Sequence, residues 1–222
     1  MKKLFLILLF LINSLNAKPY IPYEHEKMLT ENSIKIDEIF KSVDNLWKHA
    51  NSYPPFFDTN SDKNRAKIDS QTLLNVFDFL REKFYKTFDE NLKKQFDFSQ
   101  AQLFVIAYNL DVGNFAPQAD EIFEKLIIND KNSALLHRIY GEFLGNSARN
   151  EKAEFHLKKA VELGDKSAHF GLGVTYLIDN NKTAAKDEFE TFLKFYPNNE
   201  EAKNIIDAIN NGNVELKKRV IF

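Results

Sequence analysis

Cysteine is absent from all 222 residues, so no disulfide can staple the chain and no thiol can act as nucleophile or metal ligand. The fold must stand on packing alone. Tryptophan occurs once and methionine twice, against 21 phenylalanines, a bias that reflects base composition rather than chemistry. A surplus of one charge is missing too: 30 basic and 32 acidic side chains leave a formal net charge of −2. Nothing in that balance argues for a nucleic-acid partner. The one unbroken apolar run near the start, Leu4 to Ile12, is far too short for a comfortable membrane span. It follows the basic head Met1-Lys2-Lys3 and precedes a polar, small-residue exit from Asn13 to Ala17, so residues 1–17 read as a secretory signal peptide cleaved after Ala17. No cysteine follows the run, which excludes a lipid-anchored form. The expected destination is the periplasm, with no stable membrane span after cleavage.

With 44% hydrophobic and 28% charged residues the chain can bury a core of one or two domains. The mature end from Lys18 to Tyr23 reads as extended. Ile36, Ile39, Phe40, Val43, Leu46 and Trp47 fall at helical spacing and predict a helix over 28–50. The stretch 51–64 carries two prolines and turn residues and breaks it. A second helix is expected over 65–94, with Asp97 to Ser99 leading out of it, so that residues 18–98 form an N-terminal helical region.

From Ser99 to Pro197 one pattern comes round three times: Ile106-Ala107, Tyr140-Gly141 and Leu172-Gly173 in first helices, then Ala119, Ala153 and Ala185 in second helices. Ala107 to Gly141 and Ala119 to Ala153 each span 34 residues, and Gly141 to Gly173 and Ala153 to Ala185 each span 32. A period of this size marks stacked helix pairs, and the small residues mark where two helices approach closely. First helices are expected at 100–112, 134–146 and 167–180, second helices at 115–129, 149–163 and 182–196. A final helix over 198–210 caps the array, which occupies 99–210. The tail, 211–222, reads either as a loose end or as an extended segment that pairs or docks.

This register resembles the tetratricopeptide repeat family, and Leu163 to Ala168 resembles the shortened turn of the related Sel1-like repeats. The resemblance implies an all-α solenoid of helix-turn-helix units that binds a protein or peptide partner in a groove lined by the first helices. Carried over residue by residue, the groove takes Phe104, Tyr108, Arg138, Glu142, Phe170 and Val174. Aromatic anchors beside a charged pair suit a peptide laid in a groove.

No other motif competes. The five histidines form no His-Glu-x-x-His and no i, i+4 pair, so no metal site is expected. His137 and His169 occupy equivalent repeat positions and read as packing residues. Gly171-Leu172-Gly173 lacks the third glycine and the strand of a dinucleotide site, and there is no P-loop or nucleophile elbow, so no cofactor is expected. Asn181-Lys182-Thr183, with Asp179 two residues before the asparagine, matches an extended bacterial N-glycosylation signal in a turn. The sequence therefore reads as an exported adaptor or scaffold without catalytic residues. The alternative is an envelope enzyme or accessory subunit with a pocket in the N-terminal helical region.

Overall fold

A computed structural model describes residues 4–8, 19–24, 28–30, 33–214 and 216–220. The expected cleavage point after Ala17 lies outside the described residues. The fold is all-α: among the described residues nine helices follow one another, α1 Ile36–Ala50, α2 Asn60–Lys83, α3 Glu90–Asn109, α4 Ala116–Asn129, α5 Ala134–Asn146, α6 Asn150–Glu162, α7 Ala168–Ile178, α8 Lys182–Phe195 and α9 Glu200–Asn210. Two short antiparallel strand pairs are appended, β2 (Leu29–Thr30) with β3 (Ser33–Ile34) and β1 (Leu4–Leu8) with β4 (Leu216–Val220). The tail is thus a pairing strand, with Val220 opposite Leu4 and Leu216 opposite Leu8.

The chain divides into two compact units, one of Ser14–Asn129 and one of Asp130–Phe222 with Met1–Asn13. The division falls at the end of α4, so that α3 and α4 lie in the unit of the N-terminal helices. In that unit α1 and α2 both pack on α3, and α3 pairs with α4. The amphipathic face of α1 buries Ile39, Phe40, Val43 and Leu46. Thr59 caps α2, its side chain accepting from the Asp62 N–H at 3.0 Å.

The single helix expected over 65–94 is two helices. Phe88 is extended (ψ 142°), and the Asp89 carboxylate accepts from the Leu92 N–H at 2.8 Å, so a new helix starts at Glu90. Phe77, Tyr85 and Phe88 gather on the Phe96 ring at 4.8, 5.5 and 5.6 Å, which folds α2 back onto α3. Consequently Asp97 and Ser99 sit buried inside α3 rather than leading into it.

In the C-terminal unit α5–α6 and α7–α8 are antiparallel hairpins, α7 packs against both helices of the first hairpin, and α9 closes on α8. The small residues do what their register requires, with one correction. A Cβ on Gly141 would stand 2.7 Å from Leu157 Cγ, and one on Gly173 2.8 Å from two carbons of the Phe189 ring. The residue that fills the space beside Gly141 is therefore Leu157, four residues beyond the small residue Ala153 of the same repeat. Ala153 lies instead beside Gly145, whose Cβ would come 3.7 Å from it.

Each hairpin turns the same way. The N–H of Val112, Arg149 and Asn181 reaches back to the carbonyl of Ala107, Leu144 and Tyr176 over a left-handed residue, Asp111, Ala148 or Asn180. After that shared turn, α6 and α8 begin within two residues, whereas α4 waits until Ala116. The longer first turn brings in Phe115.

Candidate functional site

Phe104, Arg138, Glu142, Phe170 and Val174, five of the six residues placed in the groove, have partners within their own unit. Phe104 and Tyr108 are on α3 but only 8% and 5% exposed, so they do not stand as the free aromatic anchors the groove required. The reason for Phe104 is local: Phe115, from the long first turn, stacks on it with centroids 5.6 Å apart. Arg138 and Glu142 are one turn apart on α5, as expected, and the guanidinium Nη1 donates to both carboxylate oxygens at 3.0 and 3.1 Å. Its Nε donates to Asp165 Oδ2 at 2.8 Å, and Asp165 also accepts from the Ser167 N–H at 3.0 Å. Arg138, with 22% of its side chain exposed, therefore ties α5 to the α6–α7 turn. Phe170 meets Phe189 and Phe192 edge-on at 5.4 and 5.3 Å, and with Val174 it packs on the core formed by α7, α8 and α9.

Two buried carboxylates escaped sequence reasoning. Asp97 accepts from Arg81 at 2.7 Å, from the Tyr85 hydroxyl at 2.8 Å and from Lys125 at 2.9 Å, joining α2, α3 and α4. Burial pushes its carboxyl up, but the bonds from Lys125, Arg81 and Tyr85 outweigh that and hold it below the ordinary value. Asp69, on α2, accepts from the Tyr20 hydroxyl at 2.6 Å, the Tyr23 N–H at 2.8 Å and Arg65 at 2.9 Å. This pins the segment 19–24 against the helix. The one sequence signal for either was an acid at an apolar-face position, Asp69 between Ala66 and Leu73 and Asp97 beside Phe96.

That pinned segment helps enclose a cavity of about 340 Å³ in the N-terminal unit. Met28, Ile34 and Ile39 line one side, and Val76, Phe79 and Leu80 of α2 the other. Its polar lining comes from Tyr23, Thr72 and Asn75, none of them charged at neutral pH. Phe79 is 49% exposed at the wall and lies edge-to-face with exposed Phe84 at 5.9 Å. A pocket exists where the enzyme alternative placed one; among the described residues its lining includes no carboxylate and no imidazole. It suits an apolar group.

The equivalent histidines do not meet each other. His137 Nδ1 lies 2.9 Å from His156 Nδ1, and His169 Nδ1 lies 2.6 Å from Glu188 Oε2; each partner is 19 residues further on, across the hairpin. Asn181 is in an exposed turn and caps α8, its Oδ1 accepting from the Ala184 N–H at 3.1 Å. Among the described residues no group of three or more His, Cys, Asp or Glu could hold a metal ion, and no helix is long and apolar enough to cross a membrane. No family model, curated protein or solved structure matches the chain.

Proposed function

We propose that the protein is an exported, tetratricopeptide-like adaptor of a bacterial cell envelope that binds a protein or peptide partner through the N-terminal unit. The observation that carries this reading is the apolar pocket between the segment around Met28 and Ile34 and helix α2, with Phe79 and Phe84 exposed beside it. A pocket of this lining receives an aliphatic or aromatic anchor, the kind of side chain that dominates binding energy at protein interfaces. The repeat register and the helical hairpins support a scaffold role. The basic head and apolar run of residues 1–12 support export, and periplasmic material should then begin at Lys18 by mass spectrometry. Asn181 remains a proposed glycan acceptor, its signal lying in an exposed turn.

The test is a photo-crosslinking amino acid placed at Phe79 in the full chain in cells, with the same residue at exposed Lys158 as control. A discrete adduct to one envelope protein from position 79, lost on Val76→Asp, is the expected result. No adduct, or the same adducts from both positions, would refute the assignment.

A further inference from the structure

In both hairpins of the C-terminal unit the histidine of the first helix faces a residue 19 further on, yet the two partners differ in kind. His169 faces a carboxylate, Glu188, whereas His137 faces a second imidazole, His156. The facing nitrogens of His137 and His156 are 2.9 Å apart while the ring centres are 5.1 Å apart. The centre distance is nearly the nitrogen separation plus a ring radius at each end, so the nitrogens point at one another along the line between the rings. That is hydrogen-bond geometry, and exactly one proton fits between them.

Which nitrogen carries it follows from the surroundings. His137 Nε2 lies 3.2 Å from the Lys131 carbonyl, an acceptor, so Nε2 is the protonated nitrogen of that ring and Nδ1 offers a lone pair. His156 must then donate from Nδ1. Tyr140 and Phe155 pack on the His156 ring at 4.8 and 5.1 Å. Lys159 bears on His137 and Lys152 on His156, both from α6, and among the described residues no carboxylate hydrogen-bonds either ring. Glu154, two residues before His156 on α6, is taken by Lys158 and by Tyr176 of α7.

We infer that the His137–His156 couple is a proton-operated lock on the α5–α6 hairpin, closed while one proton lies between the facing nitrogens and opened when each nitrogen carries its own. Two N–H groups cannot share that separation, and two imidazolium charges beside lysines repel, so the rings must part. Burial lowers both rings from the ordinary histidine value, His156 to about 4 with help from His137 and Lys152. Because the folded-state values are depressed, the lock contributes fully above about pH 6.5 and is lost as pH falls through the folded values.

Long-range proton–nitrogen NMR of the full chain at pH 7.5 tests the lock without any substitution. His137 is expected as the Nε2–H tautomer and His156 as the less common Nδ1–H tautomer; two Nε2–H rings, or rings that both titrate at the ordinary value, would overturn the inference. Denaturant unfolding then compares the parent chain with His156→Glu, which copies the sister hairpin. Between pH 7 and 4.5 the parent should lose on the order of fiftyfold more of its folding constant than the variant, the linkage expected of a ring held at about 4 against about 6.5 unfolded. Equal loss in the two would also overturn it.

Discussion

Replacing Gly173 with alanine pits two effects of known size against each other. In a helix interior alanine is favoured over glycine by about 1 kcal/mol, so propensity alone predicts a more stable protein. The structure predicts the reverse. The added Cβ would stand 2.8, 2.8 and 2.9 Å from three carbons of the Phe189 ring. Phe189 is fully buried among Leu177, Ala185, Phe192, Ala202 and Ile205, so the ring has no open side to retreat to. Overpacking of this kind costs about 1–3 kcal/mol and displaces backbone. Relief requires α7 to move off α8, which puts the loss at the upper end, leaving a net destabilisation of about 1–2 kcal/mol. Thermal and urea unfolding of the full chain, followed by circular dichroism, measure it, at roughly 4–8 °C per kcal/mol for a unit of this size. Gly145→Ala is the control, because its Cβ would meet only Thr175 Oγ1 at 3.3 Å and Ala153 at 3.7 Å, and there the propensity gain should survive. Phe189→Leu combined with Gly173→Ala should cost less than the two changes summed. If Gly173→Ala raises the melting temperature as Gly145→Ala does, the close approach of α7 to α8 is refuted.

Asp97→Asn should destabilise the N-terminal unit by about 2–3 kcal/mol at pH 7, since it strips Arg81, Lys125 and Tyr85 of their shared acceptor. The depressed carboxyl contributes above its unfolded value and loses its contribution as pH falls through the folded one, so the gap between variant and parent should close in acid unfolding curves below about pH 4. Arg138→Ala should lower stability by about 1–2 kcal/mol through the lost tie to Asp165 and Glu142, while leaving adducts from position 79 unchanged. Ala148→Gly should be neutral or stabilising by up to about 1 kcal/mol, because Ala148 holds φ at 56° where a Cβ is strained; a clear loss by calorimetry would argue against that turn.

The hairpins were legible in the residues because a helix pair needs small side chains where its axes approach, and that need repeats with the period of the unit. Hence α5 and α6 were expected at 134–146 and 149–163 and lie at Ala134–Asn146 and Asn150–Glu162. Periodicity cannot see a break whose cause is a cap, so the turn at Phe88-Asp89 and the early start of α3 were hidden within an unbroken helical pattern. Nor can it say which large residue fills the space beside a glycine. Leu157, rather than Ala153, answers Gly141 because helix stagger, a property of the folded pair, decides it.

The site divides along the same line. Arg138 and Glu142 were readable as neighbours because four residues make one helical turn, but Asp165, which holds the same guanidinium, comes from a turn 27 residues away. The pocket depends on Tyr23, Ile34, Ile39 and Phe79 converging from different segments. Local rules of spacing and capping act over a few residues and so are written in the chain itself. Burial, ion-pair partners and cavities arise only when distant segments exclude water together, and those the tertiary structure alone decides.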